Sequence, residues 1–352
     1  YNVVGNGQLA RPNAYNPNLT WETTTTYNTG LDWAILDRRL SGSFDWYFRK
    51  TTNLINTVTV PAGSNFRNTV TSNIGDMTNT GCEASIKWVV LDKKDWNWTI
   101  DYNFTYNHNE ITKLMSDEKG YYVATGGISS GTGLTCQAHS VGHAANSFYV
   151  YQQAYDKNGK AIEGVVVDRN GDGQITSADR YFYKSPNAPV TMGLSSRLEY
   201  KDWDFGFTLR ASLGNYVFND LEAGMANCST SALYQNVNGY FLQNRLTSVL
   251  NDNWQSYAVT SVLSDRYVQN ASFLKCDNIT LGYSFNNLFK TGSYHGIGGR
   301  VYGTVSNVFT ITKYKGMDPE VIGNNGTTLL YGIDNNIYPR PISFILGLSL
   351  NF

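Results

Sequence analysis

Trp96-Asn97-Trp98-Thr99-Ile100-Asp101-Tyr102-Asn103-Phe104-Thr105-Tyr106-Asn107 decides the fold. Every even position is a large apolar side chain and every odd one is polar. That is the period of a strand, whose successive side chains point to opposite faces. The same period surrounds it. Cys82, Ala84, Ile86, Trp88 and Val90 alternate with Gly81, Glu83, Ser85 and Lys87, and Asp92-Lys93-Lys94-Asp95 reads as the turn between. Tyr27, Leu31, Trp33 and Ile35 precede the turn Leu36-Asp37-Arg38-Arg39, and Leu40, Gly42, Phe44, Trp46 and Phe48 follow it. Met192 to Tyr200, the turn Lys201-Asp202, and Trp203 to Leu213 make a third hairpin. Phe273 to Phe285 and Arg300 to Ile311 form a looser pair, and Ile342 to Phe352 a final strand. The reading is all-β, with about nine strands of roughly ten to fourteen residues, longer than the usual five or six.

Two architectures use such strands. A soluble sandwich packs its apolar faces on a core; a transmembrane antiparallel β-barrel turns them to lipid. The second is favoured by large aromatics on the apolar faces and by charges such as Glu83, Lys87, Arg197, Glu199 and Arg210 on the polar ones. Trp33, Trp46, Trp88, Trp96, Trp98 and Trp203 are read as clustering near the short turns, as an interfacial girdle requires. Short turns alternate with long connections over 52–72, 108–189, 214–270 and 313–340. Outer-membrane barrels have short periplasmic turns and long extracellular loops. The final strand then descends to a periplasmic C-terminus at Phe352, a feature suited to recognition by the barrel-assembly machinery. Because single-chain bacterial barrels hold an even number of strands, about nine implies the C-terminal part of a larger barrel.

Composition agrees. The 352 residues carry 16 % charged and 14 % aromatic side chains, with 25 Tyr, 16 Phe and 8 Trp. Globular chains average about 25 % charged. Disorder is excluded, since it needs low hydrophobicity and high net charge. A formal net charge of −1 leaves no basic excess for nucleic acid. Mean hydropathy is −0.34, and no stretch reaches the ~18 apolar residues of a membrane helix. The first residues lack the basic and apolar regions of a signal peptide, and position 1 is not Met, so the chain reads as a processed or partial product.

Cys82 and Cys276 fall in strand-like runs and read as small apolar residues; Cys136 and Cys228 fall in loops, with pairing between them left open. Asp168-Arg169-Asn170-Gly171-Asp172-Gly173-Gln174-Ile175-Thr176-Ser177-Ala178-Asp179 fits a calcium-loop template. Oxygen ligands for Ca²⁺ would come from Asp168, Asn170, Asp172, the Gln174 carbonyl, Thr176 (often through water) and Asp179, with Gly173 at the sharp turn. Position twelve is Asp where the template has Glu, which shortens its reach. A plain Asx-bonded turn is the alternative. An ion there would stiffen the 108–189 loop and play no part in catalysis. Enzymatic motifs are absent: His108, His139, His143 and His295 lack metal-site spacing, and there is no GxSxG or Walker loop. Aromatics in the long loops are candidates to stack on a solute: Tyr121, Tyr122, Phe148, Tyr149, Tyr151, Tyr155, Tyr234 and Tyr240. Loop packing is the competing role. Asp32, Asp45, Glu83, Asp101, Arg197 and Arg210 have the parity of lumen-lining residues.

A resemblance then enters. Asn16-Pro17-Asn18-Leu19-Thr20-Trp21-Glu22, Val60-Pro61-Ala62-Gly63-Ser64-Asn65-Phe66 and Asn73-Ile74-Gly75-Asp76-Met77-Thr78-Asn79-Thr80-Gly81 resemble, in order, segments of the SusC/RagA family of TonB-dependent transporters. Asp168 to Gly173, Tyr200 to Asp204, Ser306-Asn307-Val308-Phe309 and Thr312-Lys313-Tyr314-Lys315-Gly316-Met317-Asp318-Pro319-Glu320 continue the series, and the last is the most specific. The resemblance implies a 22-stranded outer-membrane barrel of a Gram-negative bacterium of the Bacteroidota, of which residues 1–352 would be the C-terminal third. The plug and the TonB-contacting segment would lie outside these residues. It further implies a SusD-like surface lipoprotein as lid, energy delivered by TonB, and oligosaccharides or peptides as substrates. The rivals are a passive porin or adhesin barrel and a soluble calcium-binding carbohydrate module.

Overall fold

The computed structural model describes residues 2–4, 8–10, 13–116, 118, 120–226, 258–288, 297–324 and 329–351. Cys228, Tyr234, Tyr240 and Phe352 lie outside the described residues. Nine long strands follow one another in the order of the chain: β1 (Thr23–Ile35), β2 (Leu40–Thr59), β3 (Thr69–Lys93), β4 (Trp96–Leu114), β5 (Val190–Tyr200), β6 (Trp203–Leu213), β7 (Phe273–Leu288), β8 (Ile297–Thr312) and β9 (Ser343–Asn351). Each pairs antiparallel with its sequence neighbour in one sheet. Among the described residues β1 and β9 are its unpaired edges, so the sheet is an open arc of barrel wall.

Register carries the alternation across the wall. Leu31, Phe44, Ala84, Phe104, Met192, Ala211, Leu274 and Ile311 are linked partner to partner from β1 to β8. Asp45, Glu83, Thr105, Thr191 and Ser212 form an equivalent polar row on the other face. A one-residue slip in any strand would swap its two faces. The apolar face is uncovered: Phe344 is 79 % and Leu346 89 % exposed. A soluble chain rarely leaves a contiguous apolar surface of this kind open to water.

Two sequence expectations change. Trp46 pairs with Thr29, midway along β1, so it stands in the band and not at the turn. The strands also outrun the apolar band. β2 and β3 stay paired to the Thr59–Thr69 rung, leaving only 60–68 as loop where 52–72 was expected, and β4 runs on to Leu114. A membrane-spanning strand needs roughly ten residues, whereas β3 has 25. Its polar first part, Thr69 to Asn79, keeps its ladder because β-branched residues favour strands whether or not one face is greasy.

The buried core lies elsewhere. The described parts of the connections between β4 and β5, β6 and β7, and β8 and β9 (115–189, 214–226 with 258–272, and 313–324 with 329–342) gather at one end of the wall into a roof. A four-stranded sheet joins Tyr181–Phe182, Ser147–Val150, Thr135–His139 and Val123–Gly127. Beside it lie the hairpin Gln153–Tyr155 with Ala161–Val166 and the helices α1 (Asp220–Ala226) and α2 (Val259–Val262). Tyr216–Asn219 pairs with Val268–Asn270 and, in parallel, with Ile333–Asp334. Phe148, Val150, Phe218, Val262, Tyr267 and Ile333, drawn from all three connections, share one cluster. The loops therefore pack as a small domain with its own core.

Candidate solute-facing site

Where the roof meets the polar face of β5, β6 and β7, a cavity of about 370 Å³ opens, lined among others by Arg210, Phe273, Glu320, Tyr331, Tyr338 and Arg340. Its charged edge is built from three elements. Arg210 on β6 donates from Nε to Asp277 Oδ2 at 3.0 Å and from Nη2 to Asp277 Oδ1 at 3.2 Å. Asp277 reaches it because β7 bulges between Cys276 and Asn278, which frees one residue from the ladder and re-aims it. Arg210 also forks onto Glu320, through Nη1 and, at 3.0 Å, through Nη2. Lys275, only 5 % exposed, donates to Asp318 Oδ1 and Glu320 Oε2, both at 2.7 Å. Arg340 approaches Glu320 at 3.3 Å. Three cations thus meet three carboxylates, and Glu320 touches all three cations. Burial alone would raise the Glu320 carboxyl, but hydrogen bonds from Arg210 and Lys275, with their charges, hold it down at about 2.

The segment 313–342 is tied down twice more. The Tyr314 hydroxyl donates to the buried carboxylate of Asp334 at 2.7 Å. Burial and that neighbouring charge push the phenol's pKa up. The other Asp334 oxygen accepts from the amides of Asn336 and Ile337. The Thr312 to Glu320 motif is therefore a set of anchors, which its sequence did not disclose. Parity placed Arg210 on the polar face; its partners on β7 and in the last loop are joined only by folding. Asp318 and Glu320 share Lys275 as a common partner.

A second ion pair crosses the polar face nearer the short turns. Arg300 donates to Asp204 at 2.8 and 2.6 Å. The pair bridges over Gly282, where a Cβ would come within 2.5 Å of both side chains.

The aromatic candidates divide. Tyr122, Tyr149, Phe182 and His143 form a continuous run of rings with centroids 4.7, 4.8 and 4.1 Å apart. Arg180 lies over the Tyr149 ring at 4.5 Å while donating to the carbonyls of Tyr149 and Thr135. Phe182 and His143 join this run without having been singled out for it. Tyr121 is half-buried and Tyr155 exposed. Phe148 and Tyr151 are buried in the roof core and present no open face to a solute. Ser147, Phe148 and Val150 are buried together with Tyr151, so this strand serves packing.

In the calcium-like loop, Asp168 accepts from Gly171 and Gly173 amides, Asp172 from Gln174, and Asn170 from Asp172. Gly173 has φ +79°, the left-handed turn that favours glycine. Asp179 is buried and closes the loop. One oxygen accepts from Arg169 and Asn170, the other from Thr176, and Thr176 in return caps Ala178. Those amide bonds, that of Thr176 foremost, hold its carboxyl below the usual carboxylate range. Among the described residues no three His, Cys, Asp or Glu side chains gather as a metal-holding group. An ion here would need the Asn170, Gln174 and Thr176 oxygens as well. Cys136 and Cys276 are buried as free thiols, and Cys82 is a half-buried free thiol on the apolar face.

These features define an open segment of β-barrel wall with a polar, roofed interior. A family described as "TonB dependent receptor-like, beta-barrel" matches residues 1–135. The TonB-dependent receptor SusC of Bacteroides thetaiotaomicron is 53 % identical over 345 residues, which is 97 % of this chain and 33 % of SusC. The TonB-dependent receptor P3 of Formosa agariphila is 31 % identical across 100 % of this chain and 36 % of its own length. The solved RagAB peptide transporter superposes with a TM-score of 0.74 at 26 % identity, covering 100 % of this chain and 38 % of that one. The chain belongs to the SusC/RagA-like TonB-dependent receptors and is a C-terminal portion of their barrel. It spans about a third of the length of the curated relatives it matches. The family is one of transporters, a kind of protein distinct from enzymes.

Proposed function

We propose that this chain forms part of the wall and the outer mouth of an outer-membrane importer driven by TonB, which takes up oligosaccharides or peptides together with a SusD-like surface lipoprotein. The observation that carries the reading is the pair of continuous rows, apolar on one face and polar on the other, across strands that end in a packed roof. In this orientation the apolar row meets lipid, the short turns face the periplasm, and the roof is extracellular. The polar face and the cavity beside Arg210 meet the solute. Tyr121, Tyr122, Tyr149 and Tyr155 are its aromatic contacts in the roof. The 168–179 loop holds Ca²⁺ as a structural ion, a role favoured by the twelve-residue spacing and the left-handed Gly173.

Uptake of labelled oligosaccharides and peptides by cells carrying the full-length receptor and its neighbouring lipoprotein tests the reading. Uptake should stop when TonB is removed. Flux that persists without TonB would replace it with the passive porin. Recovery of the protein in solution without detergent would replace it with the soluble module.

A further inference from the structure

The charge network does something the wall does not require. Strands β6 and β7 are already joined by a ladder running from Trp203–Tyr283 to Ser212–Phe273. Among the described residues, segment 313–342 has no such ladder to the wall. Its two ends leave β8 and enter β9, and between them it returns over the polar face of β6 and β7, strands that do not neighbour β9. The middle of the segment is held to the roof by the parallel pairing of Ile333–Asp334 with Tyr216–Asn219; what attaches its first part to β6 and β7 is side-chain chemistry: Asp318 to Lys275, and Glu320 to Lys275 and Arg210. Glu320 also draws in Arg340 from the far end of the same segment. Asp318 and Glu320 together pin the segment to the wall, and Glu320, which reaches both wall cations, also closes the segment on itself through Arg340.

We infer that Glu320 is the positioning residue of the cavity. It holds segment 313–342 across the polar face as a fixed strap, so that the cavity's outer side is preformed before a solute arrives. The cavity has two sides. Arg210, Ser212 and Phe273 belong to the wall, and Pro319, Tyr338 and Arg340 belong to the strap. Their separation is set where Glu320 bridges them. Paired charges of this kind are costly to break singly, because the partner left behind stays desolvated. Lys275 is the most buried of the three cations and keeps only Asp318 when Glu320 is neutralised. The Tyr314–Asp334 bond anchors the strap's interior to its own start and does not reach β6 or β7, so it cannot substitute for Glu320.

The inference rests on the import reading only for its effect on uptake; the strap itself is tested without it. Hydrogen exchange is measured on the detergent-purified full-length receptor and its Glu320→Gln variant. Amides of the strap, among them Asn336, Ile337 and Gly332, should exchange at least tenfold faster in the variant, with β6 and β7 amides unchanged. Unchanged strap exchange would overturn the inference. So would a rise shared equally by strap and wall, which would make the network a general brace. Lys275→Met combined with Asp318→Asn and Glu320→Gln removes the buried cation and both of its partners together and should restore folding if the single variant assembles poorly, while leaving the strap fast-exchanging. If the triple variant restores strap protection as well, Glu320 does not position it. In uptake assays a preformed cavity predicts about a tenfold higher half-saturating solute concentration with the maximal rate retained. Loss of maximal rate at unchanged half-saturation speaks against preorganisation. Failure of uptake altogether in the unmodified receptor would bear on the import reading alone.

Discussion

The wall and the roof of this molecule are held by different physics. The wall is a ladder of backbone hydrogen bonds with almost nothing buried on its apolar face, where Leu346 and Phe344 stand fully open. The roof has short strands, yet it owns the buried core, with Phe148, Phe218, Tyr267 and Ile333 at or near zero exposure. A wall of this kind is completed by its solvent: lipid supplies what a core supplies elsewhere. A roof in water must bury its own apolar side chains. Large apolar residues therefore mean opposite things in the two regions, a lipid contact in one and packing in the other.

Phe148→Ala should separate the regions most sharply. Removing a fully buried Phe costs about 3–5 kcal/mol, all of it in the roof. Hydrogen exchange of the full-length receptor should quicken across 123–150 and 216–219 and leave β3 to β6 protected; equal loosening of the wall would abolish the distinction. Leu346→Arg attacks the wall instead. An arginine on the lipid face costs about 2–4 kcal/mol near the midplane, and outer-membrane assembly, followed by heat-modifiable migration on gels, should fall steeply. Thr304→Arg, on the opposite face in the neighbouring strand, should assemble; failure of both would mean the two faces are not distinguished by lipid.

Acid gives a smaller effect at the seam. Glu320 is held at about 2 in the fold, below its ordinary 4.5. A depressed carboxylate contributes stability that is complete above the ordinary value and disappears as pH falls through the folded one. Asp277 and Asp318 face the same cations as Glu320, Asp277 at Arg210 and Asp318 at Lys275. Strap protection should therefore be constant from pH 7 to about 5 and fall progressively toward pH 2. A loss centred near pH 6 would point to a histidine, and the strap would then owe nothing to Glu320. The smallest effect is calcium's. Titration of chelated protein should release heat and slow exchange only within 168–179, with wall and roof core unmoved; no heat would leave the loop as an Asx-bonded turn.

How far the sequence could be read follows the same division. The strand alternation of Trp96 to Asn107 specifies strand, face and partner register together, because a period of two has only two settings and one of them would put Asp101 and Asn103 in lipid. The same reading erred on extent, since polar β-branched stretches such as Thr69 to Asn79 ladder as well as apolar ones. It also erred on Trp46, whose distance from the turn depends on where pairing begins. In the roof, residue type was visible and role was not: Tyr149 and Phe148 are adjacent, one in a ring stack and the other in the core.

By itself, then, the sequence determined the strands, their two faces and the alternation of short and long connections, all of which are local or nearest-neighbour properties of the chain. Only the tertiary structure decided that three distant connections share one core. Only it decided that the carboxylates of Asp318 and Glu320 are bound to Lys275 and Arg210, more than forty residues away. The physical reason is that a ladder repeats from one strand to the next, so a short stretch predicts its neighbours. A core and a charge network are instead satisfied by whichever residues arrive, and no periodicity along the chain records which ones those are.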